Sequence, residues 1–210
     1  MKSILIAGAT GLVGGHVLEL ALQHPLIRHV VAPTRRPLPQ HEKLDNPICD
    51  FSNLPQDADW WAVDGVVCTL GTTRAKAGSA DAFRAVDFDM QHRIAQITKA
   101  HGAERFALTS SVGANPKSWF FYLRTKGELE EAVARLKWLS FTVVRPGQLL
   151  GERKETRLSE RMSLSLVRTL APVLPTTLRG SPARKVASSL LKGAVDGAPG
   201  KHLVNSSQLA

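Results

Sequence analysis

Apolar and polar positions along this chain follow two rhythms, one of near-continuous apolar runs and one of helical spacing. Residues 3–7 are a continuous apolar run, the pattern of a strand buried on both faces of a parallel sheet. A glycine-punctuated turn follows, and Leu12, Val13, His16, Val17, Leu20 and Ala21 then recur at helical spacing. Residues 29–34 read as a second strand, which Pro37 and Pro39 bring to an end. A short third strand is expected at Ile48-Cys49-Asp50-Phe51, and a buried one from Asp64 to Leu70. The stretch 80–101 predicts a helix whose apolar stripe is Ala82, Val86, Met90, Ile94 and Ile97. Further strands are expected at 105–111 and 141–145, with a helix between them over 119–136. Beyond Pro146 the pattern predicts helices near 156–171 and 182–194 and a last strand at 201–205.

Strand and helix therefore alternate with short connections. That order predicts an α/β fold, a doubly wound parallel sheet with helices on both faces and right-handed crossovers. With 210 residues, one well-cored domain is expected. It divides into a core over 1–147 and a small helical substrate region over 148–210.

Composition narrows the class. Lys and Arg outnumber Asp and Glu by 27 to 18, a net charge of +9 that favours anionic ligands. No block of five or six like charges occurs, so nucleic-acid binding is not indicated. Cys49 and Cys68 lie in or beside apolar runs without metal-ligand spacing, so reduced thiols and no metal are expected. Lys2 followed by Ser-Ile-Leu-Ile-Ala superficially resembles a signal peptide, but Gly8, Gly11, Gly14 and Gly15 break it. No run of about 20 apolar residues occurs, so a cytoplasmic protein without a membrane span is expected.

Chemistry enters at the first turn. Gly8, Gly11 and Gly14 lie between the first strand and the first helix. Glycine there lets the backbone approach a pyrophosphate, and the helix N-terminus supplies unpaired N–H groups. The spacing is GxxGxxG where the general Rossmann fingerprint is GxGxxG, and it predicts dinucleotide binding. The end of the second strand selects the dinucleotide. It carries Thr34, Arg35 and Arg36 and no acid before Glu42. Guanidinium groups suit a 2′-phosphate where a carboxylate would suit bare ribose hydroxyls, so NADP(H) is expected; two surface arginines are the plainer reading.

Tyr122 is the only tyrosine in the chain, and Lys126 follows it by one helical turn. Ser110 and Ser111 end the preceding strand, at the edge where open α/β sheets bind ligands. An ammonium beside a phenol tunes it for proton donation, and a serine hydroxyl steadies a developing oxyanion.

These residues resemble the short-chain dehydrogenase/reductase superfamily, and specifically its atypical members. The GATGLVGG loop, Thr109-Ser110-Ser111 at a strand end and Tyr122-x-x-x-Lys126 carry the likeness. The stretches from Cys68 to Arg74, Ala85-Val86-Asp87, Tyr122 to Glu128 and Val144 to Arg153 look like the Tat-interacting-protein-like oxidoreductase group. The resemblance spans residue 3 to about 160 and implies a Rossmann-type fold. It implies Gly8, Thr10, Gly11, Leu12 and Val13 at the pyrophosphate, and Arg35 and Arg36 at the 2′-phosphate. Asp50 and Phe51 would border the adenine, and Leu70, Gly71 and Thr72 the ribose side. Tyr122, Lys126 and Ser111 would take the catalytic positions, with Ser110 in reserve, and Tyr122 and Lys126 would also touch the cofactor. Pro146 and Gly147 would meet the nicotinamide carboxamide. The superfamily's relay asparagine has no secure counterpart; Asp87 lies on a roughly corresponding helix, either as a relay or as a surface carboxylate, and the surface position is expected.

The leading function is an NADP(H)-dependent oxidoreductase reducing a small carbonyl compound. The alternative is an NADPH-binding regulator with little turnover that acts through a protein partner. A nucleotide-sugar epimerase fits less well, because few residues follow Pro146. Arg153, Arg157 and Arg161 either meet an anionic small-molecule substrate or form a solvated helix face, and Leu158, Met162, Leu166 and Leu170 form core or a homodimer interface. Trp60, Trp61 and Trp119 either shape a pocket or pack.

Overall fold

The computed structural model of the chain describes residues 1–150 and 180–209. The helix expected over 156–171, with Arg153, Arg157, Arg161 and the stripe from Leu158 to Leu170, lies outside the described residues.

The core is a seven-stranded parallel sheet. Its strands are β1 (Lys2–Ala7), β2 (Ile27–Val31), β3 (Leu44–Asp45), β4 (Gly65–Cys68), β5 (Arg105–Thr109), β6 (Ser140–Arg145) and, after a two-stranded pairing of β7 (Leu149–Leu150) with β8 (Ser181–Pro182), β9 (Gly200–Asn205). The order across the sheet is β3-β2-β1-β4-β5-β6-β9, with every neighbouring pair parallel. This is the Rossmann-type α/β architecture. The chain winds outward from β1 in one direction, then restarts at β4 and winds the other way. That reversal between β1 and β4 opens a crevice at their carboxyl ends.

Side chains alternate across the central strands and divide the core in two. Ile4, Ile6, Val67, Ala107 and Val144 face α1 (Leu12–Gln23) and the C-terminal helix Ala183–Asp196. Leu5, Val66, Cys68, Phe106, Leu108 and Val143 face the opposite layer, built from helix residues Ile94, Ala95, Leu129 and Val133 with Trp61 and Trp138. The C-terminal helix sits close because small residues meet it. A Cβ on Gly65 would lie 2.2 Å from the Ala194 carbonyl oxygen, and one on Gly193 2.6 Å from Thr142.

Two expected elements differ. The third strand is Leu44–Asp45, and Ile48 makes only an isolated bridge to Thr34. The Asp50 carboxylate accepts from the Ser52 N–H and hydroxyl, a local turn that draws the backbone away from the ladder. The helix expected over 80–101 is interrupted. A short α-helix, Ala80–Arg84, passes into a π-helical segment, Ala85–Met90, before α-helix resumes at Gln91–Ala100. The face turned inward in its first half is Phe83, Asp87 and Gln91, not Ala82, Val86 and Met90. Polar residues occupy a buried face there, which apolar periodicity cannot reveal.

The helix after β5, α5 (Phe121–Ala134), begins two residues later than expected. Trp119 and Phe120 are left on the turn before it, exposed.

Candidate active site at the carboxyl edge of the sheet

The glycine turn closes directly on β1. Gly8 adopts φ 95°, a conformation that disfavours a side chain. A Cβ on Gly14 would lie 2.0 Å from the Gly8 carbonyl oxygen, so the first turn of α1 packs against the loop backbone itself. The Gly11 N–H donates to the Gly8 carbonyl at 2.9 Å, and Gly11 caps α1 with no side-chain hydrogen bond and no acid in the first turn. Helix amides lacking a protein cap are what an anion needs. Thr10 and Gly11 are exposed and Leu12 half-buried, whereas the Val13 side chain is in the core and leaves only its backbone available. Across the turn, the Thr69 hydroxyl donates to the Ala7 carbonyl and tightens β4 onto the loop.

Arg35 and Arg36 stand exposed at the end of the second strand's extension. Their loop is fixed from beneath by Thr34, which the sequence places at the strand end without a role, and by Asn46, which sequence reasoning missed. The buried Thr34 hydroxyl donates to the Arg36 carbonyl at 2.6 Å, and the Asn46 amide donates to Thr34 Oγ1 and the Ala32 carbonyl. Asn46 Oδ1 in turn accepts from the Leu38 N–H. Asp50 is exposed and engaged by Ser52, which holds its carboxyl below the usual range; Phe51 is half-buried against the core.

Beside the loop that follows β4, Lys126 Nζ lies 2.7 Å from Asp87 Oδ1, with side chains only 5% and 1% exposed. The surface position expected for Asp87 is corrected here. The π-helical segment turns it inward, where its second oxygen accepts from the Thr72 N–H at 2.7 Å. The contact to Lys126 is an ion pair without a hydrogen bond, so the buried Oδ1 keeps unused acceptor capacity. Gly71 leaves the approach clear: a Cβ there would stand 3.4 Å from Asp87 Oδ1 and 4.0 Å from Lys126 Nζ. Leu70, beside it, is half-buried on the core. A second pair, Arg84 to Glu128 at 2.6 Å, fastens the same segment to α5. Below lies Cys68, whose thiol burial pushes up to about 12, with Sγ 3.6 Å from Gln91 Oε1.

Tyr122 stands one turn before Lys126 on α5, partly exposed, its ring centroid 5.8 Å from that of the buried Phe83. The two serines separate. Ser110 is buried and donates its hydroxyl to Glu130, whereas the half-buried Ser111 hydroxyl makes, among the described residues, only a 3.3 Å contact to the Val112 carbonyl. Ser111 is thus the serine with a hydroxyl to spare. Pro146 is buried and its carbonyl accepts from the Val112 N–H; the Gly147 N–H donates to Ser181 Oγ. Glu130 and its partner Arg145 also escaped the sequence reading. Their available signals were the third step of a four-residue spacing after Tyr122 and Lys126, and a cation at the end of an apolar strand.

Residues 8–164 match the family model described as NAD(P)H-binding. The chain belongs to this NAD(P)H-binding family. Among curated relatives, protein HTATIP2 of Rattus norvegicus is 41% identical over 164 residues, covering 76% of this chain and 67% of that protein. Mitochondrial protein FMP52 of Candida albicans is 37% identical over 164 residues, covering 73% and 70%. Among solved structures, MoeE5 in complex with UDP-glucose and NAD superposes with a TM-score of 0.73 at 21% identity, over 97% of this chain and 75% of that one. The Bordetella bronchiseptica enzyme WbmH in complex with NAD+ gives 0.69 at 17% identity, over 98% and 76%. Family and fold together support an atypical short-chain dehydrogenase/reductase group with an NAD(P)-binding domain.

The cytoplasmic expectation does not stand. The FMP52 relatives from several yeasts are named as mitochondrial. Charge and apolar run length report on folding and on membrane spans; an organelle address is read by a receptor, and bulk composition does not encode it.

Proposed function

We propose that this NAD(P)H-binding protein is an NADP(H)-dependent oxidoreductase that reduces a small carbonyl compound. The observation that carries the reading is the buried Lys126–Asp87 pair, whose lysine follows Tyr122 by one helical turn and which Gly71 adjoins. A buried ion pair is an expensive way to pack a helix, and it earns that expense where it fixes a charge beside a reacting group.

Each residue then has a task. The uncapped amides of α1, reached across Gly8, Thr10 and Gly11, hold the pyrophosphate. Arg35 and Arg36, on the loop braced by Thr34 and Asn46, grip the 2′-phosphate as planar donors. Asp87 holds Lys126 in place, and Lys126 with Gly71 and Thr72 lines the nicotinamide ribose. When bound, the dinucleotide supplies the hydride. Tyr122 donates its phenolic proton to the carbonyl oxygen of the substrate, and the Ser111 hydroxyl hydrogen-bonds that oxygen as charge develops. Pro146 and Gly147 border the carboxamide. The names of the fungal relatives support a mitochondrial setting for this activity.

The test is a titration with NADPH and separately NADH, followed by nicotinamide fluorescence, beside an Arg35→Ala/Arg36→Ala variant. NADPH should bind the more tightly and the double variant should lose that advantage. Equal affinity for both cofactors removes the role given to the arginines. Binding of neither overturns the whole reading and leaves a partner-binding regulator in its place.

A further inference from the structure

Tyr122, Lys126 and Glu130 follow one another at four-residue intervals and so share one face of α5. The third is only 2% exposed, and it is engaged on both oxygens. Glu130 Oε1 accepts from the Ser110 hydroxyl and from Arg145 Nε at 2.9 Å, and Oε2 accepts from Arg145 Nη2 at 2.6 Å. Ser110 directly precedes Ser111, and its N–H donates to the Val144 carbonyl at 2.8 Å. Arg145 directly precedes Pro146, whose carbonyl receives the Val112 N–H at 3.0 Å. One carboxylate thereby joins the helix bearing Tyr122 to the strand end bearing Ser111 and to the strand end leading into Pro146–Gly147.

We propose that Glu130 is a positioning residue that sets the Pro146–Gly147 loop and Ser111 at working distance from Tyr122. The proposal rests on the cofactor reading above. A buried carboxylate–guanidinium pair stabilises a fold no better than apolar packing of the same volume. What it supplies is direction: the fork of an arginine on a carboxylate fixes two bond vectors, where apolar contacts leave the strand ends free to slide. The residues assigned above to the adenosine and pyrophosphate, around α1 and Arg35, are not among the hydrogen-bond partners of Glu130, Ser110 and Arg145. Glu130 therefore governs how the nicotinamide end is held while leaving the strength of cofactor binding to other residues.

The test compares wild type, Glu130→Gln, Ser110→Ala and the surface control Glu131→Gln. NADPH affinity is measured by calorimetry, and nicotinamide emission at saturating protein. In Glu130→Gln the amide turns a donor toward Arg145, while Ser110→Ala removes one arm and keeps the ion pair. Both should retain NADPH affinity within about threefold. Both should lose emission enhancement, Glu130→Gln toward the level of free NADPH and Ser110→Ala less. Glu131→Gln should match wild type. Full emission in both inner variants, with only melting temperature lowered, overturns the proposal. Where Glu130→Gln does not fold, Ser110→Ala decides alone. A wild-type protein that binds no NADPH overturns the cofactor reading, and this inference with it, and shows itself in the unsubstituted chain.

Discussion

Lys126 Nζ and Asp87 Oδ1 meet at 2.7 Å across 39 positions of sequence, and the pair is almost wholly withdrawn from water. Removing one partner of such a pair strands the other as a buried charge. Asp87→Ala should therefore cost about 3–5 kcal/mol in urea unfolding. Asp87→Asn keeps an acceptor for the Thr72 N–H and a dipole for Lys126, and should cost about 1–3 kcal/mol. A cost for Asp87→Ala no larger than that of a surface substitution would show that the ammonium finds water.

Tyr122 presents a different balance. Its ring packs on Phe83, but its hydroxyl has no protein partner among the described residues. Tyr122→Phe should leave the unfolding free energy within about 0.5 kcal/mol. NADPH affinity should also stand, while carbonyl reduction falls by about 10²–10⁴. Single-turnover kinetics on a panel of aldehydes and ketones checks this; surviving reduction would assign the proton to another group.

Gly14 and Gly15 are adjacent on α1 and should respond oppositely to alanine. A Cβ on Gly14 meets the Gly8 carbonyl at 2.0 Å, which forces the glycine turn open. Gly14→Ala should destabilise by about 1–3 kcal/mol or more and abolish dinucleotide binding. A Cβ on Gly15 meets only the Ala9 carbonyl at an ordinary 3.7 Å. Gly15→Ala should stabilise by about 0.5–1 kcal/mol through helix propensity. Chemical unfolding and NADPH titration of both variants would read the contrast.

The two thiols should be slow to react. Burial pushes Cys68 up to about 12, and burial with the neighbouring Asp50 charge raises Cys49. The reactive thiolate appears only as pH climbs through a raised pKa, so modification should accelerate with alkalinity. At neutral pH, a disulfide-exchange reagent should reach Cys49 slowly and Cys68 not at all, and both at once after denaturation. Rapid native labelling of Cys68 would contradict its buried place at the end of β4.

The legible parts of the fold were those in which local pattern and tertiary environment agree. The apolar runs at 3–7 and 141–145 became central strands because a parallel sheet covered on both faces demands continuous apolarity. The third strand misled for the opposite reason: Asp50 spends its carboxylate on Ser52, and that bond outcompetes the ladder. That Tyr122 and Lys126 share one helix was legible because four residues on a helix is a local distance. Asp87, Glu130, Arg145 and Asn46 were not, because each matters through a partner at least 12 positions away.

By itself the sequence determined the alternation of strands and helices through the described core and the glycine turn after the first strand. Those depend on backbone stereochemistry and on spacing within a single element. Tertiary structure decided the rest. It turned Asp87 inward through a π-helical segment, and it committed Ser110 to Glu130 while leaving Ser111 a hydroxyl to spare. Charge pairing in a dry interior depends on which distant residue arrives, and that is a property of packing.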